Sequence, residues 1–290
     1  MTLKTETSLT TYADLDTWPL TRTLAALVDS NAAAVEAVRR ALPELERAAM
    51  GIERALSAGG RLIYLGAGTS GRLAVQDAAE LPPTFGFERA HAVLAGGEDA
   101  GNRALEDAED DEESAREHLR TLSLTPDDAV VGIAASGSTP FTVAGVVFAR
   151  AQGAFTVGVA NNAGAPLLSA GEVGVLLKTP PEVLAGSTRL GAGTAQKVAL
   201  NALSTAVLVR LGGAYGNLMV GMKPRNLKLR GRAARIVMQA TGCTALEAET
   251  ALTAGGDIRT AIVTLLTGLT PEEAKFRLQK HQGRIREALQ

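Results

Sequence analysis

RLIYLGAGTSGR (61–72) sets a short, continuous apolar run directly before a loop of small residues, after which helical spacing resumes. An apolar run without alternation reads as a strand covered on both faces, and a glycine loop that opens a helix behind it reads as the turn of a βα unit. The pattern recurs: HAVLA (91–95) leads into Gly96-Gly97, AVVGIAA (129–135) into SGSTP (136–140), and FTVGVA (155–160) into NNAGAP (161–166). A further run, VGVLLK (173–178), precedes the loop and helix of 179–212. Strands alternating with helices predict a mainly parallel sheet between two helical layers, so the fold class is α/β, a three-layer sandwich.

Outward from this block the pattern is helical. Residues 18–58 place Ala, Leu and Val at helical spacing, with Pro43 suited to a first helical turn and Gly59-Gly60 as the stop. From about residue 225 only helices are predicted: one ends at Gly242, one runs from Thr244 to Gly255-Gly256, and segments opened by Asp257 and Thr270 follow. The expected organisation is N-terminal helices over 1–58, a sheet domain over 59–222 and a C-terminal helical subdomain over 223–290, packed on the sheet domain.

Composition narrows the function. Hydrophobic residues at 46% and charged residues at 21% exclude a disordered chain. Lys+Arg 29 against Asp+Glu 31 gives a formal net charge of −2, without the basic stripe that nucleic acid requires, and 3% aromatics offer no stacking platform. One cysteine, Cys243, and three dispersed histidines (His91, His118, His281) exclude a disulfide framework and a Cys- or His-rich metal site. The start, MTLKTETSLTTYADLDTW, lacks a basic and then apolar leader, and no run of about 18 apolar residues occurs. The expected location is the cytoplasm, with no membrane or nucleic-acid partner and no metal or other cofactor.

GAGTSG (66–71) satisfies the dinucleotide pattern G-x-G-x-x-G, yet the second run ends Leu94-Ala95-Gly96-Gly97, without the acidic residue that would hold a ribose. Arg72-Leu73 stand where a nucleotide P-loop needs Lys and Ser/Thr. What remains is Gly68, Thr69, Ser70 and Gly71 at a helix N-terminus, a place that suits a phosphate, or else a tight capped turn. Ser136, Gly137, Ser138 and Thr139 repeat this character one unit later, and Gly186-Ser187-Thr188-Arg189 precedes a helix expected to start near Gly193. Loops after parallel strands emerge on one rim, so three hydroxyl-bearing loops point to a phosphorylated, polyhydroxylated ligand. Two acidic features stand near them. Glu80 precedes Pro82-Pro83, and EDAEDDEE (106–113) holds seven carboxylates in eight positions, with Glu106 and Glu109 on one helical face. A lone helix-end Glu and a charge run are ordinarily solvated, and the spacing is not that of a Ca²⁺ loop.

LIYLGAGTSGRLAVQDAAELPPTFG (62–86), GGEDAGNRALEDAEDD (96–111), VVGIAASGSTPF (130–141), GSTRLGAGTAQKVALNALST (186–205) and YGNLMVGMKPRNLKLRGRAARIVMQATG (215–242) resemble the N-acetylmuramic acid 6-phosphate etherases, in order from about residue 15 onward. The resemblance implies a sugar-isomerase (SIS) fold, a homodimer, and a metal-free enzyme of cytoplasmic peptidoglycan recycling. Such enzymes cleave the D-lactyl ether of the phosphorylated amino sugar with water. The resemblance further implies Glu80 as proton donor and Glu109 as the second active-site carboxylate. The phosphate would then lie among Gly68, Thr69, Ser70, Gly71, Ser136, Gly137, Ser138, Thr139 and Ser187. The chain departs from that pattern at Ser138, Gly191 and Gly221, where the family commonly carries Arg, Lys and Asp, and in an N-terminal Asn. Rival readings are a non-catalytic sugar-phosphate sensor resembling glucokinase regulatory protein, and a sugar-phosphate isomerase on the same fold.

Overall fold

The computed structural model describes residues 4–103, 105–224 and 226–290, with the side chains of Lys4 and Glu106 outside the description. The chain forms two compact units, Met1–Ala78 with Arg89–Ser204, and Ala79–Glu88 with Thr205–Gln290. Each unit thus combines separate stretches of chain, where the sequence pattern suggests contiguous segments.

The first unit holds the sheet. Strands β1 (Leu62–Gly66), β2 (Ala90–Leu94), β3 (Ala129–Ala134), β4 (Phe155–Ala160) and β5 (Val173–Leu176) fall within two residues of the apolar runs. They lie in the order β2-β1-β3-β4-β5, with every neighbouring pair parallel. The chain leaves β1 toward one edge and returns to β3 on its other side, so a crevice opens at the carboxyl ends of these two strands. Helices α1 (Leu20–Arg40), α2 (Leu42–Ser57), α3 (Gly68–Phe85), α4 (Asp99–Asn102), α5 (Glu112–Thr121), α6 (Pro140–Ala151), α7 (Pro166–Ala170) and α8 (Gly191–Leu208) complete the layers. The helix expected near Gly193 begins at Gly191.

Alternation along β1 shows how both faces are filled. Ile63 and Leu65 enter a core with Leu119 of α5, Phe141 and Val146 of α6, and Leu167 of α7. Burying one such aliphatic or aromatic side chain contributes about 1.5–3 kcal/mol. Tyr64 faces the opposite layer, where its hydroxyl donates to Asp77 Oδ2 of α3 at 2.7 Å. Asp77 Oδ1 accepts from Asn201 and Ser204 of α8, so one buried carboxylate joins strand and both helices. Burial pushes the Tyr64 phenol well above its ordinary pKa, with the Asp77 charge adding to the effect.

The amino ends of the strands are closed by an ion pair. Asp128 Oδ1 accepts from Arg61 N and Nε at 2.9 and 3.0 Å, and Oδ2 from Arg61 Nη2 at 2.6 Å and Thr125 N at 2.8 Å. The remaining guanidinium hydrogens donate to the Leu122 and Ser123 carbonyls beyond α5.

The second unit contains a two-residue-strand hairpin, β6 (Ala214–Tyr215) and β7 (Leu218–Met219), followed by α9 (Leu227–Thr241), α10 (Ala245–Gly255), α11 (Ile258–Thr267), α12 (Pro271–Lys280) and α13 (Ile285–Ala288). Thr244 and Thr270 form capping boxes with Glu247 and Glu273, Asp257 caps α11, and Gly242, Gly256 and Gly268 close the helices in left-handed conformation. The segment read as one helix from Thr270 is two, because Gln282 (φ 53°) and Gly283 (φ 79°) turn the chain after α12.

Asp128 is held at a pKa of about 2 against the ordinary 3.8, since the Arg61 guanidinium and backbone amides outweigh burial. A depressed carboxyl stabilises the fold above its unfolded pKa and loses that contribution as pH falls through the folded value. Asp128→Asn should therefore cost roughly 2 kcal/mol or more at pH 7. Urea titrations should show the gap to wild type constant above about pH 5 and closing as pH falls through about 2.

Candidate functional site

At the carboxyl ends of β1 and β3 the first unit encloses a cavity of about 330 Å³. Of the residues read from sequence, Gly68, Thr69, Ser70, Glu109, Ser136 and Thr139 line it. Gly71, Gly137, Ser138 and Ser187 are not among its lining residues, and Glu80 lies exposed in α3 in the portion that belongs to the second unit.

The loop after β1 works through its backbone. The first α3 hydrogen bond runs from Gly71 N to Ala67 O, so the Thr69 and Ser70 amides precede it, where a helix leaves N–H groups without internal acceptors. Gly68 has φ +52°, and a Cβ there would lie 2.8 Å from Glu109 Oε1. The glycine thereby seats the Glu109 carboxylate against the mouth of α3. Gly71 instead packs α3 on the sheet, since a Cβ there would lie 2.6 Å from Gly66 O and collide with Leu94.

Ser70 belongs to a buried polar chain. Its hydroxyl donates to Gln196 Oε1 at 2.8 Å, Gln196 Nε2 donates to Asn161 Oδ1 at 3.0 Å, and Asn161 Nδ2 donates to Leu177 O at 3.0 Å. The Ser70 hydroxyl proton is engaged, so this residue reaches an anion by its amide. In the loop after β3, Ser136 Oγ accepts from Ser138 N at 3.2 Å, which leaves its proton available beside Thr139 Oγ1, 3.5 Å away. Gly137 (φ 71°) is buried against Ala160 and Ala165 and makes the turn, while the Ser138 side chain is exposed.

The acidic run divides in two. Glu109 lies in a 3-10 turn (Glu106–Asp110), and α5 begins after it with Asp111 capping the Ser114 amide. Glu112 and Glu113 pair with Arg116 and Arg120 on the outer face, where hydrogen bonds from Arg120 and Arg116 hold Glu113 below the usual carboxylate range. The shared face expected of Glu106 and Glu109 involves a side chain outside the described residues.

Sequence reasoning missed several contributors. Thr5 and Glu6 line the cavity from the N-terminal turn. Thr5 N donates to Asn162 Oδ1 (3.4 Å) while Asn162 Nδ2 donates to Thr5 Oγ1 (3.1 Å), and Asn162 also bonds the Ala135 carbonyl. Thr188, not Ser187, represents the third loop. Arg72 is the basic side chain at the wall, with Nε and Nη2 donating to the Ala100 and Arg103 carbonyls. Glu182 closes the amino end of α8: its carboxylate accepts from Gly191 N (2.8 Å) and Ala192 N (2.9 Å), while Gly193 and Thr194 amides reach the Thr188 and Leu190 carbonyls. Among the described residues no cluster of three or more His, Cys, Asp or Glu could hold a metal, and no helix is long and apolar enough to cross a membrane.

Comparison with known proteins fits this geometry. The chain is 50% identical over 281 residues to N-acetylmuramic acid 6-phosphate etherase of Deinococcus radiodurans, covering 96% of this chain and 92% of that one. It is 45% identical to the protein so named in Cronobacter sakazakii, covering 99% and 98%. The chain belongs to the N-acetylmuramic acid 6-phosphate etherase family. Models of the glucokinase regulatory protein N-terminal SIS domain and of the SIS domain match residues 44–150 and 106–206. Phosphoheptose isomerase GmhA from Neisseria gonorrhoeae shares the fold at TM-score 0.50 and 22% identity, covering 64% of this chain and 97% of that one.

Two positions where this etherase-family chain carries glycine are packed against neighbours. A Cβ at Gly221 would collide with the Phe85 carbonyl, so a larger residue there requires a different backbone path. A Cβ at Gly191 would lie 3.1 Å from Glu182 Oε2, within reach of the carboxylate that caps α8.

Gly68→Ala should cost about 1–2 kcal/mol from the left-handed backbone alone and should displace Glu109. Ser70→Ala should cost about 1–3 kcal/mol by leaving Gln196 unpaired, whereas Ser138→Ala should stay within about 0.5 kcal/mol of wild type. Thermal or denaturant unfolding ranks the three, and equal losses at Ser70 and Ser138 would contradict the buried chain.

Proposed function

We propose that the chain cleaves the D-lactyl ether of N-acetylmuramic acid 6-phosphate with water, giving N-acetylglucosamine 6-phosphate and D-lactate, as a cytoplasmic homodimeric carbon–oxygen lyase that uses no cofactor. Near-full-length likeness to proteins named for that ether carries the reading. The cavity supports it, because a carboxylate, hydroxyls and helix-end amides share one wall.

In the opened sugar the ether oxygen sits on C3, β to the C1 aldehyde. A base removes the C2 proton, the C3–O bond breaks with its electron pair on lactate, and an acid protonates the departing oxygen. Water then adds at C3 of the unsaturated aldehyde and a proton returns to C2. Glu109 is assigned as the base and Glu80 as the acid, a division of work between two carboxylates in different surroundings. The Thr69 and Ser70 amides, the Ser136 and Thr139 hydroxyls and Arg72 hold the 6-phosphate, with Gly68, Gly71, Gly137, Ser138 and Ser187 shaping the loops. Glu6, a second carboxylate on the wall, accepts from a sugar hydroxyl or the acetamido N–H. Phosphate binding remote from C3 then serves orientation.

Incubation with N-acetylmuramic acid 6-phosphate and assay of D-lactate tests the reading directly; a sensor would bind without releasing lactate. Glu80→Gln and Glu109→Gln should each lower kcat by about 10²–10⁴, while the arginine-paired Glu112→Gln and Glu113→Gln stay near wild type. Turnover in ²H₂O should place deuterium at C2, and an unlabelled product would reject the elimination.

Ser136→Ala should raise KM with little change in kcat, since its hydroxyl addresses the phosphate and not the reacting carbon. The unphosphorylated sugar should be a poor substrate, and equal turnover of both sugars would remove the phosphate role.

A further inference from the structure

The second unit has a cavity of its own, about 520 Å³, between the start of α11, the outer part of α12 and the turn before α13. Asp257, Arg259, Thr260, Lys275, Gln279 and Gln282 stand at its wall. Arg259 Nε is fully enclosed and has no hydrogen-bond partner. The guanidinium packs over Gly283, where a Cβ would lie 3.6 Å from Nη1 and 3.8 Å from Cζ.

The neighbouring carboxylate does not relieve it. Asp257 Oδ1 accepts from Thr260 N at 3.0 Å and Oδ2 from Thr260 Oγ1 at 2.7 Å, as the cap of α11. Burial holds the Arg259 pKa below its ordinary value, with Asp257 opposing only in part. Arginine stays protonated in proteins, so a part-buried guanidinium whose Nε lacks an acceptor gains from an anion in the cavity beside its other N–H groups. Lys275 is exposed on the same wall, and no ion pair engages it among the described residues. Gln282 holds φ 53°, a left-handed backbone uncommon for a residue of this kind, at the edge of the cavity.

With the Asp257 carboxylate engaged by Thr260, two cations and two carboxamides remain on the wall, and they match an oxyanion with three or more acceptor oxygens. We propose that this cavity binds a phosphate group, with Arg259 and Lys275 supplying charge and Gln279 and Gln282 supplying amide donors. Arginine's planar fork engages two of the oxygens and the lysine a third. The group arrives as inorganic phosphate or as the phosphomonoester of a sugar. The assignment does not depend on the reaction proposed above.

The Nε–Hε resonance of Arg259 in the full chain, identified by its loss in Arg259→Lys, reports on this cavity alone. Titration with inorganic phosphate at constant ionic strength should shift it saturably, and chloride should not. Lys275→Met, an exposed substitution that spares the fold, should weaken the phosphate titration at least tenfold. A parallel titration with glucosamine 6-phosphate assigns the source: tighter binding than inorganic phosphate identifies a phosphomonoester site, and equal or weaker binding a free-phosphate site. A shift that does not saturate, that chloride reproduces, or that Lys275→Met leaves unchanged would overturn the proposal.

Discussion

Asn161 can satisfy its amide only by turning Nδ2 toward the Leu177 carbonyl, and that one orientation propagates across the rim of the sheet. Its Oδ1 then faces Gln196, Gln196 must present Nε2 to it, and Oε1 is left to accept from Ser70. Each of these groups is buried, and an unmatched donor or acceptor there would carry the full cost of desolvation. The end of β4, the second turn of α8 and the mouth of α3 are therefore fixed against one another by donor and acceptor identity. Asn162 extends the linkage to Thr5 and to the backbone of the loop after β3. Three of the pieces of chain that make the cavity wall, at Thr5, at Ser70 and at Ala135-Ser136, are thereby held as one preorganised surface, as a site that orients a substrate requires.

The sheet was legible because its strands are buried on both faces, so the apolar runs carry no competing polar period. β3 is buried at every position, and its run was bounded to within a residue. The helical caps of the second unit were legible for a local reason: Thr, Asp and Gly act through hydrogen bonds within four residues. The break after α12 was not, because Gln282 gives no turn signal and takes its left-handed backbone in spite of its type. The β6–β7 hairpin is too short to show a period. Glu6 and Thr5 escaped reading for the opposite reason to the caps. Thr5's partner Asn162 lies 157 residues away, and no local pattern encodes so distant a contact.

The acidic run shows a limit of composition. Seven carboxylates within eight residues read as a solvated face, and for Glu112 and Glu113 the arginine pairs on α5 bear this out. Glu109 differs through the turn it occupies. A 3-10 segment ends at Asp110 and α5 restarts beyond Asp111, so the carboxylates before and after the break follow separate helical axes. The glycine at position 68 then leaves the volume that the Glu109 carboxylate enters. Residue type made Glu109 one of seven; backbone path and a missing Cβ distinguish it.

Helix amino ends are general anion sites, yet the two long helices that start at this rim do not offer the same one. α8 carries its own anion: Glu182 takes the Gly191 and Ala192 amides, and the next two amides reach backbone carbonyls. Nothing remains there for a phosphate, so the loop over 186–189 contributes the Thr188 side chain and not a helix end. α3 begins on Gly68, with its first internal bond at Gly71 and the Glu109 carboxylate against its mouth, and its opening residues line the cavity. Three loops of similar composition are thus unequal as phosphate ligands, and the inequality follows from Glu182, nine residues before the helix it closes. With α8 satisfied internally, the start of α3, Arg72 and the hydroxyls of Ser136, Thr139 and Thr188 are the donors that a phosphate on this wall can meet.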